Sequence, residues 1–192
     1  MFGFEITVTL DSLLASLDEE TAATVLRTAA EGTATIMFTD IEKSTALSQS
    51  LGDAAWSELI RSHYETLRRI VEGEGGTVVK TLGDGAMFAF VSARSALRAA
   101  IAVQRAVTTD ASPLVVRIGL HAGDVVHDEG DYIGLTVNKA ARVTAAAAGG
   151  EIMVSNVVAE LAGDAEFSYG DPLQAELKGL TGTHQLFPMS WQ

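Results

Sequence analysis

Cysteine is absent from the 192 residues, so neither a disulfide framework nor a thiolate metal site is available, which suits a reducing compartment. Cationic side chains are scarce: 13 Lys and Arg stand against 25 Asp and Glu, for a formal net charge of −12. A surface of that sign repels a phosphate backbone and argues against DNA or RNA as a partner. A small polyphosphate is a different matter, because metal ions and a few local cations can neutralise it. Long apolar runs are lacking as well, since charge or glycine interrupts each of them short of the ~18 residues of a membrane span. Residues 1–17 have no basic n-region and carry Glu5 and Asp11, unlike a signal peptide. The expectation is a cytoplasmic protein with no membrane span in this chain.

What is present is an ordinary globular balance, with 47% hydrophobic and 20% charged residues, at a length suited to one compact domain and a short appendage. The appendage is a leader at residues 1–33. In it Phe4, Ile6, Val8 and Leu10 alternate as in a strand, and residues 11–17 and 18–30 have helical character. A single domain is expected over residues 34–192. Residues 35–39 read as a strand, and Ser44 or Thr45 offers a cap for the helix after it. Trp56, Leu59, Ile60, His63, Leu67 and Ile70 recur at helical spacing until Gly73, Gly75 and Gly76 break the chain. Two strand-like runs, 77–82 and 86–91, flank Gly83-Asp84-Gly85, a hairpin signal. An alanine-rich helix over 93–107 and a strand over 114–120 complete the order β-α-β-β-α-β, the split or ferredoxin-like arrangement. A helix over 137–148, a strand over 151–155 and a closing pair around Glu176 and 184–188 extend it. The predicted class is α+β: a ferredoxin-like core extended by further strands and a helix.

The chemistry-bearing residues begin with Asp40, at the carboxyl end of the first strand, and Asp84, in the hairpin turn. In a split βαβ the first strand pairs beside this hairpin, so both carboxylates emerge from the same edge of the sheet. Two hard oxygen ligands side by side suit Mg²⁺ or Mn²⁺, and a pair of such ions suits phosphoryl chemistry. Taken singly, Asp40 is equally at home as a helix cap and Asp84 as a turn former.

Four stretches in order carry a specific resemblance: 38–45 (Phe-Thr-Asp-Ile-Glu-x-Ser-Thr), 80–85 (Lys-Thr-x-Gly-Asp-Gly), 117–123 (Arg-x-Gly-x-His-x-Gly) and 134–142 (Gly-x-x-Val-Asn-x-Ala-Ala-Arg). Together they resemble the class III adenylyl and guanylyl cyclase homology domain, over roughly residues 34–188. The resemblance implies that Asp40 and Asp84 bind two divalent cations, Mg²⁺ or Mn²⁺, with the carbonyl of Ile41 as a further ligand. It implies that Asn138 and Arg142 hold the transition state; four apart on a helix, they share one face. It implies that Lys178, in Leu177-Lys178-Gly179, contacts the triphosphate. Lys80 and Asp131 fall where the family selects its base, and the physics agrees with adenine. A lysine donates to the acceptor ring nitrogen of adenine and an aspartate accepts from its amino group. Guanine presents those groups exchanged, and a mismatch of buried polar groups costs about 1–3 kcal/mol each, a roughly tenfold to hundredfold preference.

The implied reaction is conversion of ATP to cyclic AMP and pyrophosphate. The family places the metal aspartates of one chain against the base and transition-state residues of another, which implies a head-to-tail homodimer. A guanylyl cyclase is the nearest rival and is opposed by Lys80 and Asp131; a catalytically silent nucleotide-binding or dimerisation module is the other. The turn of diguanylate cyclases is missing, with Leu82-Gly83-Asp84-Gly85-Ala86 in its place. Bland readings stand beside these: Lys80 as a solvated strand lysine, Asp131 as a loop residue, Asn138 bonded back into its helix and Arg142 paired at the surface. His121 reads as structural and His63 as a satisfied core histidine, while His127 and His184 have no evident partner.

Overall fold

The computed structural model describes residues 31–108, 112–128, 130–163 and 165–192, so the strand and helices expected before residue 31 lie outside the described residues. The first strand, β1 (Glu31–Ile41), begins earlier than the expected 35–39 run. Its apolar residues alternate between two cores, with Ala34, Ile36 and Phe38 in one and Met37 and Ile41 in the other. Two helices follow where one was expected: α1 (Ser44–Leu51) and α2 (Asp53–Gly73). The break is Gly52, whose φ of 77° leaves the helical region and ends α1 after two turns. Neither Ser44 nor Thr45 caps α1. The chain turns so tightly out of β1 that Lys43, in the left-handed region at φ 56°, is the cap residue and Ser44 is already helical. In α2, His63, Leu67 and Val71 bury one stripe at intervals of four.

Strands β2 (Thr77–Leu82) and β3 (Gly85–Phe90) form the expected hairpin, with Leu82 opposite Gly85. Helix α3 (Ala93–Val107) is capped by Ser92, whose hydroxyl accepts from the Ser95 amide. Strand β4 (Val116–Asp128) runs well past the expected end at 120, because it pairs along the whole of β1, from Ile41–Val116 to Glu31–Val126. The short β5 (Asp131–Ile133) folds back on the end of β4. Then come α4 (Leu135–Ala146), β6 (Ile152–Ser155), an unforeseen short α5 (Asn156–Ala162), β7 (Leu173–Glu176) and β8 (Thr183–Met189).

The result is one mixed sheet in the order β2-β3-β1-β4-β6-β8-β7, with β5 on β4. All pairings are antiparallel except β4 with β6. The order β4-β1-β3-β2 is the ferredoxin-like core read from the sequence, and the fold class is α+β. One face packs against α2, α3 and α5 around Met37, Phe88, Leu97, Ile118 and Ile152. The other lies under α4, over Ile36, Phe38, Met87 and Ala140. Where β4 and β6 part, the buried Gln104 amide donates to Val116 O at 2.8 Å and Glu151 O at 3.1 Å.

Two histidines are part of these cores. His121 is buried, with its Nδ1 2.7 Å from Ser155 Oγ, as a structural residue should be. His63 is buried on α2, but its Nε2 has no hydrogen-bond partner among the described residues, so the satisfied core histidine that was expected is not what is found. Burial pushes His63 down to about 4, and burial, then Lys139 and His184, push His121 down to about 4. Unfolded, each imidazole takes up a proton near pH 6.5; folded, it does so only near pH 4. The unfolded chain therefore binds more protons in that window, and the stability present above pH 6.5 is lost as the pH falls towards 4. A depression of this size amounts to about 3 kcal/mol per histidine. Urea denaturation of His63→Leu should show a loss between pH 6.5 and 4.5 smaller by about 2 kcal/mol than in the parent chain. An unchanged pH slope would contradict the burial argument.

Candidate active site

Asp40 stands opposite Arg117 across the β1–β4 ladder. The guanidinium donates to one carboxylate oxygen twice, Nε to Oδ2 at 2.7 Å and a terminal nitrogen to Oδ2 at 2.6 Å. Both side chains are about two-thirds buried, at 30% and 33% exposure, so this pair is less screened than a surface one. The other neighbour of β1 is β3, and there Gly85 closes on the same carboxylate. A Cβ on Gly85 would lie 2.5 Å from the Thr39 carbonyl oxygen and 3.6 Å from Asp40 Oδ1. Only glycine admits the hairpin this close. A cavity of about 210 Å³ opens here, bounded by Asp40, Arg117, Leu82, Gly85 and, from α4, Ala141 and Thr144.

Asp84 occupies the turn between Leu82 and Gly85, beside Gly83 at φ 71°. The turn is tied to α2 by Tyr64, whose hydroxyl lies 2.6 Å from Gly83 O and 3.1 Å from Gly85 O. Asp40 and Asp84 are thus carried to the same edge by adjacent strands, as the topology required. Ile41, next after Asp40, is the last residue of β1 and buries its side chain beneath the sheet. Among the described residues no group of three His, Cys, Asp or Glu could hold a metal. Two carboxylates and backbone carbonyls leave further ligands to water and phosphate, which fits Mg²⁺ or Mn²⁺ better than an all-protein site would. Arg117 balances the charge of Asp40 through Oδ2 and leaves Oδ1 without a bond to another described residue.

Lys80 and Asp131, 51 residues apart in sequence, meet: Nζ donates to Oδ2 at 2.5 Å. The other oxygen, Oδ1, accepts from the Tyr132 amide at 2.8 Å. The Lys80 hydrogen bond, aided by that amide, holds Asp131 below the usual carboxylate range. Asp131 is the first residue of a strand rather than a loop residue, and Lys80 is committed to it rather than solvated.

Asn138 and Arg142 are exposed on α4, one turn apart, with no side-chain bond to another described residue. Neither the back-bonded Asn138 nor the surface-paired Arg142 is observed. What seats α4 is a pair of glycines on β4. A Cβ at Gly119 would come 2.2 Å from the Thr144 backbone nitrogen, and one at Gly123 would come 2.7 Å from Thr136 Oγ1. Thr136 then donates to Asp124 O at 2.6 Å. The spacing of Gly119 and Gly123, four apart on one face of a strand, is the signal that could have revealed this shelf. Lys178 is exposed in the β7–β8 loop, next to the buried Leu177 that anchors it. The cavity at Asp40 is lined by none of Lys80, Asp131, Asn138, Arg142 or Lys178. Asp84 does not line it either, whereas Ala141, Thr144 and Ala145 of α4 do. Sequence reasoning missed Arg117 and Tyr64; opposite charges at Asp40 and Arg117 become a signal only once the ladder register is known.

The Adenylate and Guanylate cyclase catalytic domain family matches residues 26–189. An uncharacterized protein of Mycobacterium tuberculosis is 38% identical over 128 residues, covering 67% of this chain and 34% of its own length. An adenylate cyclase of Podospora anserina is 36% identical over 176 residues, covering 77% of this chain and 8% of its own. The chain thus spans about a third of the first relative and under a tenth of the second. Among solved structures, the adenylyl cyclase CyaB from P. aeruginosa superposes with a TM-score of 0.73 at 27% identity, covering 83% of this chain and 94% of that one. The catalytic core of a rhodopsin-guanylyl cyclase with converted specificity, in complex with ATPalphaS, shares the fold with a TM-score of 0.78 at 24% identity, covering 83% and 97%.

Gly119→Ala should lift α4 from the sheet and lower stability by about 2–3 kcal/mol in urea denaturation, since overpacking against backbone has no side chain to absorb it. A loss below about 0.5 kcal/mol would show that the shelf gives way freely.

Proposed function

Because the chain belongs to the adenylate and guanylate cyclase catalytic domain family, we propose that it converts ATP to 3′,5′-cyclic AMP and pyrophosphate, in the cytoplasm, at two equivalent sites of a head-to-tail homodimer. The observation that carries the choice of base is the Lys80–Asp131 pair. An ammonium has three donors, so Lys80 can bond Asp131 and still donate to a ring nitrogen. The pair sets one donor and one acceptor side by side, the complement of the ring nitrogen and amino group of adenine. Bonded to each other, they are already oriented before a base arrives.

In the reaction the ribose 3′-hydroxyl oxygen bonds to the α-phosphorus, its proton is lost, and the bond to the bridging oxygen breaks to release pyrophosphate. Two divalent cations held by Asp40, Asp84 and the Ile41 carbonyl would supply Lewis acidity toward that hydroxyl and the phosphates. Asn138 orients the ribose and Arg142 stabilises charge growing on the α-phosphoryl oxygens. Lys178 contacts the triphosphate. Arg117, which neutralises Asp40, is a cation at the same spot and keeps the acidic chain from repelling the nucleotide there.

The exposure of Asn138 and Arg142 supports shared sites. Among the described residues neither has a side-chain partner, as groups awaiting a second chain should lack one. Large apolar side chains stand in the open on neighbouring elements, with Leu135 67% exposed at the start of α4, Ile133 47% at the end of β5 and Leu82 48% at the end of β2. Exposed apolar side chains of that size suit an association surface. No helix among the described residues is long and apolar enough to cross a membrane.

Purified protein given ATP or GTP with Mg²⁺ or Mn²⁺ should yield cyclic AMP from ATP and roughly ten- to a hundredfold less cyclic GMP from GTP. Cyclic GMP as the main product would overturn the reading of Lys80 and Asp131. Asp40→Ala and Arg142→Ala chains, each inactive alone, should recover about a quarter of full activity when mixed in equal amounts. Half the dimers are then mixed and each holds one intact site of two. Dimers that form without recovery would rule out shared sites.

A further inference from the structure

The hairpin turn that carries Asp84 is poorly braced by its own sequence. Gly83 and Gly85 flank the aspartate, and glycine leaves a backbone more freedom to lose than any other residue. Strand β2 is the outer strand of the sheet, and Thr81, Leu82 and Gly83 are exposed, so no layer covers the turn from that side. What reaches it from elsewhere is the Tyr64 hydroxyl, 2.6 Å from Gly83 O and 3.1 Å from Gly85 O. These two carbonyls stand on either side of Asp84, so one group holds the peptide that enters Asp84 and the peptide that leaves Gly85. Tyr64 is itself held. It sits on α2 between His63 and Leu67, both buried, and its ring packs against the main core.

We infer that Tyr64 is the positioning residue of the metal-binding half of the site: its phenolic hydroxyl clamps the Gly83–Gly85 turn and so presets the Asp84 carboxylate beside Asp40. The inference rests on the cyclase reading. Tyr64 touches neither substrate nor the reacting atoms; it acts through the backbone of the turn. The clamp needs a donor, since both of its partners are carbonyl oxygens, and the phenol must stay protonated. Burial, and then the charge of Asp84, raise its affinity for that proton. Without the clamp the same ligands are present, but the turn must be ordered when the cation arrives, which weakens binding without removing a ligand.

The test is Mn²⁺ binding to the intact chain without nucleotide, read by the EPR signal of free Mn²⁺, alongside cyclase activity and urea denaturation. Tyr64→Phe keeps the ring and removes the donor. It should raise the Mn²⁺ concentration for half-saturation by about three- to tenfold, and lower kcat more than it raises KM for the nucleotide. Placing 4-aminophenylalanine at 64 restores a donor at the same ring position and should return both quantities toward the parent values. 4-Methoxyphenylalanine fills that position without donating and should not. This second pair decides the matter should Tyr64→Phe fail to fold. Parental Mn²⁺ binding by a folded Tyr64→Phe chain, or equal behaviour of the amino and methoxy variants, overturns the clamp and leaves the cyclase reading standing. A parent chain that neither binds Mn²⁺ nor makes cyclic nucleotide overturns the reading itself and the inference with it.

Discussion

The arrangement depends on one carboxylate being placed between two strands. Asp40 is the second-to-last residue of β1, and β1 is paired on both sides, with β3 and with β4. On the β4 side its oxygen is met by the Arg117 guanidinium; on the β3 side it meets the bare backbone of Gly85. Register fixes both encounters. A one-residue slip of β1 would turn Asp40 to the opposite face and put Ile41 in its place. The length of β4 has its explanation here, because pairing along eleven residues of β1 makes a slip cost many contacts at once.

Electrostatically the chain faces an awkward task, since a protein of net charge −12 is proposed to hold a polyanion. The structure distributes the few cations accordingly. Arg117 is bound to the carboxylate of the cavity, Lys80 to Asp131, and Arg142 and Lys178 are exposed without a side-chain partner among the described residues. Other arginines serve the scaffold: Arg94 donates to Ala162 O, Arg98 pairs with Glu74, Arg105 donates to Trp191 O, and Arg61 and Arg68 pair with glutamates along α2. The cations set apart for function lie near the residues proposed to handle the nucleotide, so local charge rather than net charge governs this surface.

Much of this was legible in the sequence, for identifiable reasons. The hairpin around Asp84 was readable because two strand-period runs flank a glycine-rich turn, and the split βαβ because period 2 and period 3.6 alternate cleanly. The break at Gly52 was not read because a lone glycine is tolerated within helices and the short α1 buries no residue that would mark it as a separate element. Strand β5 is three residues long and α5 seven, too short for a period to show. The family motifs pointed to Asp40, Asp84, Lys80, Asn138 and Arg142, and counting back from Gly134 pointed to Asp131. They said nothing of Tyr64, which lies in none of them and acts through its hydroxyl on backbone atoms. Its partners bear no side chain at all, so no pattern of residue types could register the contact.

The proposed separation of the site into two parts gives the glycine shelf a purpose beyond packing. α4 rests on Gly119 and Gly123 so closely that its buried side is fixed by backbone contact. Its opposite side carries the exposed Asn138 and Arg142, while Ala141, Thr144 and Ala145 of the same helix reach the cavity at Asp40. The Asp40 carboxylate itself is already met by Arg117 across the β1–β4 ladder. The glycines that seat the helix thus leave Asn138 and Arg142 outward, without a side-chain partner among the described residues, on the same stretch as exposed Leu135 and Ile133, where the proposed second copy of the chain would meet them.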